Sequence, residues 1–435
     1  MADIAPFRGL RYDLSRGEDA ASLLAPPYDV VSDADRAALE ARDPHNVIRL
    51  ELPRGDGDAK YENARHLLDA WMADGILRTD DRPAIYVYEQ QFRASAPGAS
   101  ARDFARRGFF CRLRLEPFSA RVVLPHENTL AAPKADRRKL MRATRTHLSP
   151  VFGLYRDPAG DTASLLAEVD ATVPALDATT GDGCRHRLWP VTNPAATARF
   201  VSTLAGRQVM IADGHHRYET MLAVRDELRP AEAPAGGAAA DWGCVFLARA
   251  EDPGLLVLPT HRLVRNLAGF DLDALAERAA AAFEIASGDE RDAAVIEERL
   301  VAEGRRRVTF AVRAAGKPGT LWLGLRADAN LSSLGPPALR GLDVSVLHGL
   351  VLGPMLGIDA AAMARQSFLG YTHDTNEALG EVTGGRAQAA FLMNATPVEQ
   401  VLSACEAGFV LPQKSTYFQP KLGTGLVMYR IDGMA

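Results

Sequence analysis

The stretch VMIADGHHRYETMLAVRDEL, residues 209–228, constrains the fold more than any other segment. A short apolar run, Val209-Met210-Ile211, leads into Asp213-Gly214, and a helical pattern leads out. A strand must therefore pass into a helix through one tight turn. Gly214 supplies the positive φ or the close backbone approach that such a turn requires. Whatever fold the chain adopts has to hold a strand end and a helix N-terminus at one point.

The rest of the chain mixes the two periods. AIYVYEQQF, FARRGFFCRLRLEPF, SPVFGLYRD and WGCVFLARAED read as strands, and NVIRLELP alternates in the same way. YENARHLLDAWMADGIL has helical spacing and ends near Gly75. RRRVTFAVRAAGKPGTLWLGLRAD reads as a hairpin, and LDVSVLHGLVL as a helix beginning at Asp343. In ATPVEQVLSACEAG the predicted cap is Thr396, with Pro397 at the first helical position and Gly408 past the end. PAEAPAGGAAAD, residues 230–241, is low in complexity and reads as a mobile linker. Strands and helices alternate without a regular crossover repeat, so the predicted class is α+β, mixed α/β. The length of 435 residues predicts two or three lobes. The segments group them as an N-terminal α/β lobe (1–160), a central lobe carrying the Asp213–Arg217 turn (161–330) and a C-terminal α/β segment (331–435).

Charge and cysteine usage exclude several classes. A net charge of −5 argues against a nucleic-acid partner. Four isolated cysteines, with no C-x-x-C pair, argue against a disulfide framework or a cysteine zinc site. The first residues lack the apolar core of a signal peptide, and the longest apolar stretch is broken by His348 and Pro354. A cytoplasmic, reduced protein with no membrane span is the expectation, and a homodimer is compatible with it. One bias is informative: six lysines stand among 50 basic residues. Lysine is a compact, mobile point charge where arginine is a planar fork. Four of the six, Lys134, Lys139, Lys414 and Lys421, fall in two short polar segments.

A strand running into D-G-H-H-R and a helix offers free backbone N–H groups and the positive end of a helix dipole. That is an anion site, and phosphate suits it. Arg217 can grip phosphate oxygens in a fork. His215 and His216 can donate hydrogen bonds or carry a proton. Asp213 can orient a histidine or hold Mg²⁺. Set against this is a plain capped helix with surface histidines; the His-His-Arg cluster favours the functional reading. In PHEN, His126 and Glu127 form an acid/base pair. In PKADR, Lys134 and Arg137 can reach a second anion, although a basic helix is as often only a solvated face. PQKSTYFQPK places Lys414, Ser415, Thr416 and Lys421 in one loop, or in an ordinary turn before the last strand. Tyr28 and Asp29, stiffened by Pro26-Pro27, and Arg262 are candidates for substrate contacts. A pair such as His261-Arg262 is more often structural, and His348 reads as a half-buried helix histidine.

The D-G-H-H-R turn resembles the phosphate-binding turn of the ParB/sulfiredoxin superfamily. Gly214 and Arg217 match its G-C-H-R and G-E-R-R forms, and Asp213 to Arg217 match the D-G-H-H-R of its ADP-dependent free-serine kinases. The resemblance implies a ParB/sulfiredoxin-like core with additional α/β lobes, and a turn that cradles nucleotide phosphates. His215 stands where sulfiredoxins carry cysteine, so sulfinic acid repair is excluded. The kinase's catalytic glutamate is not placed by this resemblance. APPYDVVS, PHENTLAAPKADR, SPVFGLY, IADGHHRYET, LPTHRLV, LDVSVLH and LPQKSTYFQPKL together are similar to the bacterial DUF1015 family. That resemblance covers nearly the whole chain and associates it with serine metabolism.

The leading expectation is a kinase: a phosphotransferase using ADP or ATP with Mg²⁺ on a hydroxy acid or hydroxy amino acid such as free serine. Its catalytic set is Glu127, His126, Asp213, His215 and His216, and its partners are a nucleotide and a small substrate. The phosphate cradle is Gly214, His215, His216, Arg217, Lys134, Arg137, Lys414, Ser415, Thr416 and Lys421. A phosphomonoester hydrolase acting on phosphoserine would use the same groups with water. A ParB-like nucleotide-binding regulator is disfavoured by charge and by the lack of a recognition helix-turn-helix. A metal hydrolase built on His215 and Glu219, four residues apart, lacks a third ligand.

Overall fold

Long strands such as Ile85–Ala94 and Arg102–Arg114 are buried at most consecutive positions, so each is covered on both faces. In this computed structural model, residues 1–129, 131–229, 237–359, 362–363 and 367–432 are described, residues 131–133 by backbone alone. The seven residues 230–236 of the low-complexity segment lie outside the described residues.

Nine strands drawn from residues 4–249 form the larger sheet. Its order is Val123–Leu124, Val209–Asp213, Val151–Tyr155, Trp242–Arg249, Arg102–Arg114, Ile85–Ala94, Arg185–Val191 and Leu176–Thr179, with Ile4–Ala5 paired on Arg102–Arg114. Two pairings are parallel, Val209–Asp213 with Val123–Leu124 and Trp242–Arg249 with Val151–Tyr155; the remainder are antiparallel. The helix Pro194–Leu204 lays Phe200 on Phe109, ring centroids 5.1 Å apart. A second sheet of six antiparallel strands uses residues 261–392. The helices Ala293–Gly304 and Thr375–Thr383 place Ile296, Leu300, Ala378 and Val382 in a core with this sheet's Leu263, Ala311 and Trp322. The fold is mixed α/β, with sheets of mixed orientation. Among the described residues no helix is long and apolar enough to cross a membrane.

The C-terminal segment ties the parts together. Tyr417–Gln419 pairs with Leu256–Leu258, and Tyr429–Arg430 pairs with Thr146–His147. Phe418 meets Phe152 of the larger sheet at 5.7 Å between rings. Residues 416–421, nearly 200 positions beyond the Asp213–Arg217 turn, are thereby laid against it.

Three local expectations change. NVIRLELP contains a helical turn, Ile48–Glu51, not a strand. The cause is Asn46, whose side-chain carbonyl accepts from the Ile48 N–H at 3.0 Å while its amide donates to the Ser22 and Leu24 carbonyls. Thr396 does not cap its helix. Its hydroxyl donates to the Ser415 carbonyl at 3.0 Å, and the helix Val398–Glu406 starts after Pro397. The helix from Asp343 turns into a π-helix over Leu347–Leu352, which carries the partly buried His348.

Candidate active site

The turn is built as the sequence demands. Gly214 has φ 92° and precedes the helix His215–Leu228, and no side chain caps that helix. The first backbone bond of the helix runs from the Tyr218 N–H to the Gly214 carbonyl at 2.9 Å. The N–H groups of His215, His216 and Arg217 point out of the helix start, where the dipole is positive.

Asp213 holds the turn from the strand side. Its two carboxylate oxygens accept from Lys421 and, at 2.5 Å, from Arg217. Burial alone would raise this carboxyl; Lys421 and Arg217 outweigh burial and keep it well below the usual carboxylate range. The same attraction raises Lys421 and Arg217 against the burial that would lower them. Lys421 also lies 4.7 Å from the Tyr417 ring centroid. Arg217 is 5% exposed, and its other arm donates to the Pro150 carbonyl. It underpins the turn from beneath and is not on its open face.

Two further segments close on the turn. The His126 N–H donates to His215 Nε2 at 3.1 Å, and the two rings meet edge to face at 4.5 Å. His126 Nδ1 donates to the Ile211 carbonyl at 2.7 Å, so its Nε2 is the acceptor for the Thr416 hydroxyl at 2.8 Å. Both ring nitrogens are therefore engaged, and His126 acts as a brace. Burial and the His126 neighbour push His215 down, so it is neutral near pH 7. Glu127 stays 26% exposed, with Oε1 3.7 Å from His215 Nδ1 and Oε2 accepting weakly from the Lys414 N–H at 3.4 Å. It is a reachable carboxylate of the cluster, as is the exposed Asp29, whereas Glu219 is paired with Lys134. His216 is half-buried between the influence of Glu127 and Glu219, with burial the larger effect and its pKa lowered.

Lys134 reaches the turn helix through Glu219, at 2.9 Å, and Thr129, at 3.0 Å. Glu219 is thus committed to Lys134 and Thr129, while His215 faces Glu127, so the two do not share a metal. Among the described residues no group of three or more His, Cys, Asp or Glu is placed to hold a metal ion. Each Asp213 oxygen already accepts from a cation, Arg217 or Lys421, so a Mg²⁺ ion on Asp213 would face their repulsion.

Other candidate residues lie further out. Arg137 donates to the Glu51 carbonyl at 2.8 Å, pairs with Asp136 and packs over Tyr28, 4.3 Å from its ring centroid. Burial first, against opposing arginines, pushes Tyr28 up to about 12. Asp29 is exposed beside it and, unlike Arg137, lies close enough to act on the charges of His216, Arg217 and Lys421. Ser415 turns its hydroxyl inward to the Pro412 carbonyl. Arg262 is fully buried and donates to the Thr260 and Lys414 carbonyls, so it supports the Lys414 loop from behind and does not face substrate. Lys139 is remote, paired with Asp58 at 2.7 Å.

The sequence reading missed Gln90 and Arg106. Gln90 donates to the Lys421 carbonyl at 3.0 Å, and Arg106 donates to the Pro420 carbonyl at 2.8 Å and to the Gln90 side chain. Together they clamp the backbone that carries Lys421. Arg106 is fully buried, 4.8 Å from the Phe152 ring centroid. The legible signal was the polar run Glu89-Gln90-Gln91 that interrupts the apolar start of the strand Ile85–Ala94.

The profile of the family described as "Protein of unknown function (DUF1015)" matches residues 4–345. The chain belongs to the DUF1015 family. The turn, the PHEN segment and the basic helix fall within the matched span, whereas Lys414 to Lys421 lie beyond it. No protein of curated function matches this DUF1015 chain in sequence. Among solved structures it is similar to a conserved hypothetical protein from Pyrococcus furiosus, with 14% identity and TM-score 0.34 over 69% of this chain and 89% of that one. A free serine kinase in complex with AMP aligns at 13% identity and TM-score 0.34, over 68% of this chain and 83% of that one. SbnI with C-terminal truncation from Staphylococcus aureus aligns at 8% identity and TM-score 0.34, over 70% and 83%. Scores this low transfer no function, so the geometry has to carry the reading.

Proposed function

We propose that this DUF1015 protein binds a phosphate group at the 213–217 turn and transfers a phosphoryl group between a purine nucleotide, ADP or ATP, and a small hydroxy acid or hydroxy amino acid. Free serine is the first acceptor to test. The observation that carries the reading is convergence. An uncapped helix N-terminus with a left-handed glycine meets a half-buried Lys421, a neutral His215 and a reachable Glu127, supplied by segments centred near 127, 214 and 420.

Phosphoryl transfer asks for positioning and charge neutralisation more than covalent chemistry. The N–H groups of His215 and His216 and the Lys421 ammonium address the phosphoryl oxygens. Lys421 can follow the charge because its partner Asp213 keeps it protonated. Glu127 takes the acceptor's hydroxyl proton as the oxygen–phosphorus bond forms and the bond to the nucleotide's leaving phosphate oxygen breaks. The nucleotide departs one phosphate shorter. Mg²⁺ fits this chemistry as an ion bound mainly through nucleotide phosphates, since among the described residues no group of three or more His, Cys, Asp or Glu stands ready to hold it.

The test incubates protein, Mg²⁺, ADP or ATP and a panel of hydroxy acids, with phosphorylated product read by mass spectrometry. Product is expected from wild type and reduced at least about a hundredfold in Glu127→Gln, as loss of a general base implies. Phosphate release from phosphoserine with no nucleotide present, and no transfer, would replace the kinase reading with the hydrolase. Absence of any phosphate or nucleotide binding would refute the site itself.

A further inference from the structure

Five of the six lysines are held by a carboxylate: Lys60 by Asp136, Lys134 by Glu219, Lys139 by Asp58, Lys317 by Asp273 and Lys421 by Asp213. Lys414 is the sixth. It is exposed, and among the described residues no carboxylate pairs with its ammonium. Its backbone is also out of the ordinary, with φ 58°. Among the described residues other than glycine, Arg121, Arg145 and Asn266 share that region, each for a plain reason. Arg121 and Arg145 end helices, and asparagine tolerates the left-handed conformation. At 414 a glycine would sit more easily, yet the chain keeps a lysine there. Strained positions of this kind gather at ligand sites.

The loop that carries Lys414 is fixed from two directions. Arg262, on the strand His261–Val264 of the second sheet, donates to the Lys414 carbonyl at 3.1 Å, and Thr396 donates to the Ser415 carbonyl at 3.0 Å. From the turn, His126 Nε2 accepts from Thr416 at 2.8 Å, and Glu127 Oε2 accepts from the Lys414 N–H at 3.4 Å. The Lys414 backbone is thereby set beside Glu127. Arg262 is fully buried, and among the described residues no carboxylate pairs with it either, so two positive charges at this loop stand unneutralised. The charges of Lys414 and Lys421 both act on His373. The His373 ring stacks on Tyr417 at 3.5 Å between centroids, and Lys421 lies 4.7 Å from the same Tyr417 centroid. The free lysine and the lysine of the phosphate turn thus bear on one aromatic pair.

A hydroxy acid with its hydroxyl on Glu127 carries its carboxylate close by. That carboxylate meets the negative charges of Glu127, Asp29 and the phosphoryl group, so it needs a cation of its own. Lys421 and Arg217 share Asp213, and Lys134 is held by Glu219. We propose that Lys414 binds the acceptor's carboxylate, its ammonium taking the acid group of the hydroxy acid or hydroxy amino acid whose hydroxyl lies on Glu127. This rests on the phosphotransferase reading and deepens it: the site selects its acceptor for the carboxylate as well as for the hydroxyl.

The test compares each acid with its amide on the full chain by calorimetry: serine with serinamide, and 3-hydroxypropanoate with 3-hydroxypropanamide. ADP and inorganic phosphate are titrated in parallel. Wild type is expected to bind each acid at least about tenfold tighter than its amide. Lys414→Asn and Lys414→Gly both suit φ 58° and remove only the side-chain charge, so their urea midpoints should be no lower than that of wild type. Both should bind acid and amide alike, whereas Lys414→Arg should keep part of the preference. In the transfer assay the loss should fall on the acceptor's KM more than on kcat. Equal binding of acid and amide by wild type, no binding of either, or a wild-type preference in Lys414→Asn would overturn the proposal. So would lowered urea midpoints in both variants, which would make Lys414 structural. A tenfold loss of ADP affinity in Lys414→Asn would put the lysine on the nucleotide's phosphates and overturn it too. If wild type prefers the acids through Lys414 yet binds neither ADP nor phosphate, the carboxylate subsite stands and the phosphotransferase reading fails.

Discussion

Replacing Asp213 by Asn isolates the electrostatics of the turn. The side chain keeps its size, but Lys421 and Arg217 lose the carboxylate between them, at side-chain exposures of 14% and 6%. Removing one partner of a buried ion pair costs about 3–5 kcal/mol, because the charge left behind stays desolvated. Arg217 retains the Pro150 carbonyl, and Lys421 retains the Tyr417 face, so the lower end, about 3 kcal/mol, is expected. Urea unfolding should show a lower midpoint with an unchanged slope. The double variant Asp213→Asn with Lys421→Met removes one stranded cation and should recover more than about 1 kcal/mol by coupling. The functional content lies in rescue. An inorganic phosphate ion at the turn can replace the missing carboxylate, so phosphate should stabilise Asp213→Asn more than wild type. At about 100 times its dissociation constant the gain is about 2.7 kcal/mol. A loss under about 1 kcal/mol, or equal stabilisation of both proteins by phosphate, would refute the argument.

Two other perturbations follow from the same geometry. Gly214→Ala puts a Cβ at φ 92° and within 3.0 Å of the Arg217 guanidinium, so a loss of about 1–2 kcal/mol and weaker phosphate binding are expected in the same melts and titrations. Acid should destabilise the fold early. Burial lowers His147 and His261 to about 3 and His186 to about 4, and it lowers His215 as well. Their stabilising effect is fully present above the unfolded value near 6.5 and is lost as pH falls below it, by up to about 1.4 kcal/mol per pH unit for each group. Urea midpoints at pH 7, 6 and 5 check this, and a flat profile across that range counts against it.

The parts of the site that were legible in sequence share one property: their chemistry is local. Asp213-Gly214 before a helical pattern specifies strand, left-handed turn and open helix start within five residues, and the structure builds it so. The retained lysines carried a second signal, since Lys134 and Lys421 do reach the turn or its helix. What could not be read is set by long-range pairing. Arg217 looks like a phosphate fork in sequence, but the Pro150 carbonyl and Asp213 claim it from below. Arg262 looks like a contact at a strand start, yet its neighbours in the second sheet bury it completely. NVIRLELP failed because a single Asn46 hydrogen-bonding set overrode its alternation.

The Gln90–Arg106 clamp shows why such residues escape a sequence reading and still shape the chemistry. Neither borders the turn, and each belongs to a central strand of the larger sheet. Their hydrogen bonds end on backbone carbonyls of Pro420 and Lys421, groups that carry no sequence identity. Yet the position of the Lys421 ammonium follows from them: with its peptide held at both carbonyls, the side chain reaches the carboxylate of Asp213. A lysine placed this way loses little further freedom when a phosphoryl oxygen arrives, which is the condition for charge stabilisation without reorganisation. The candidate site is therefore an anion turn whose mobile cation is pre-aimed by the sheet beneath it.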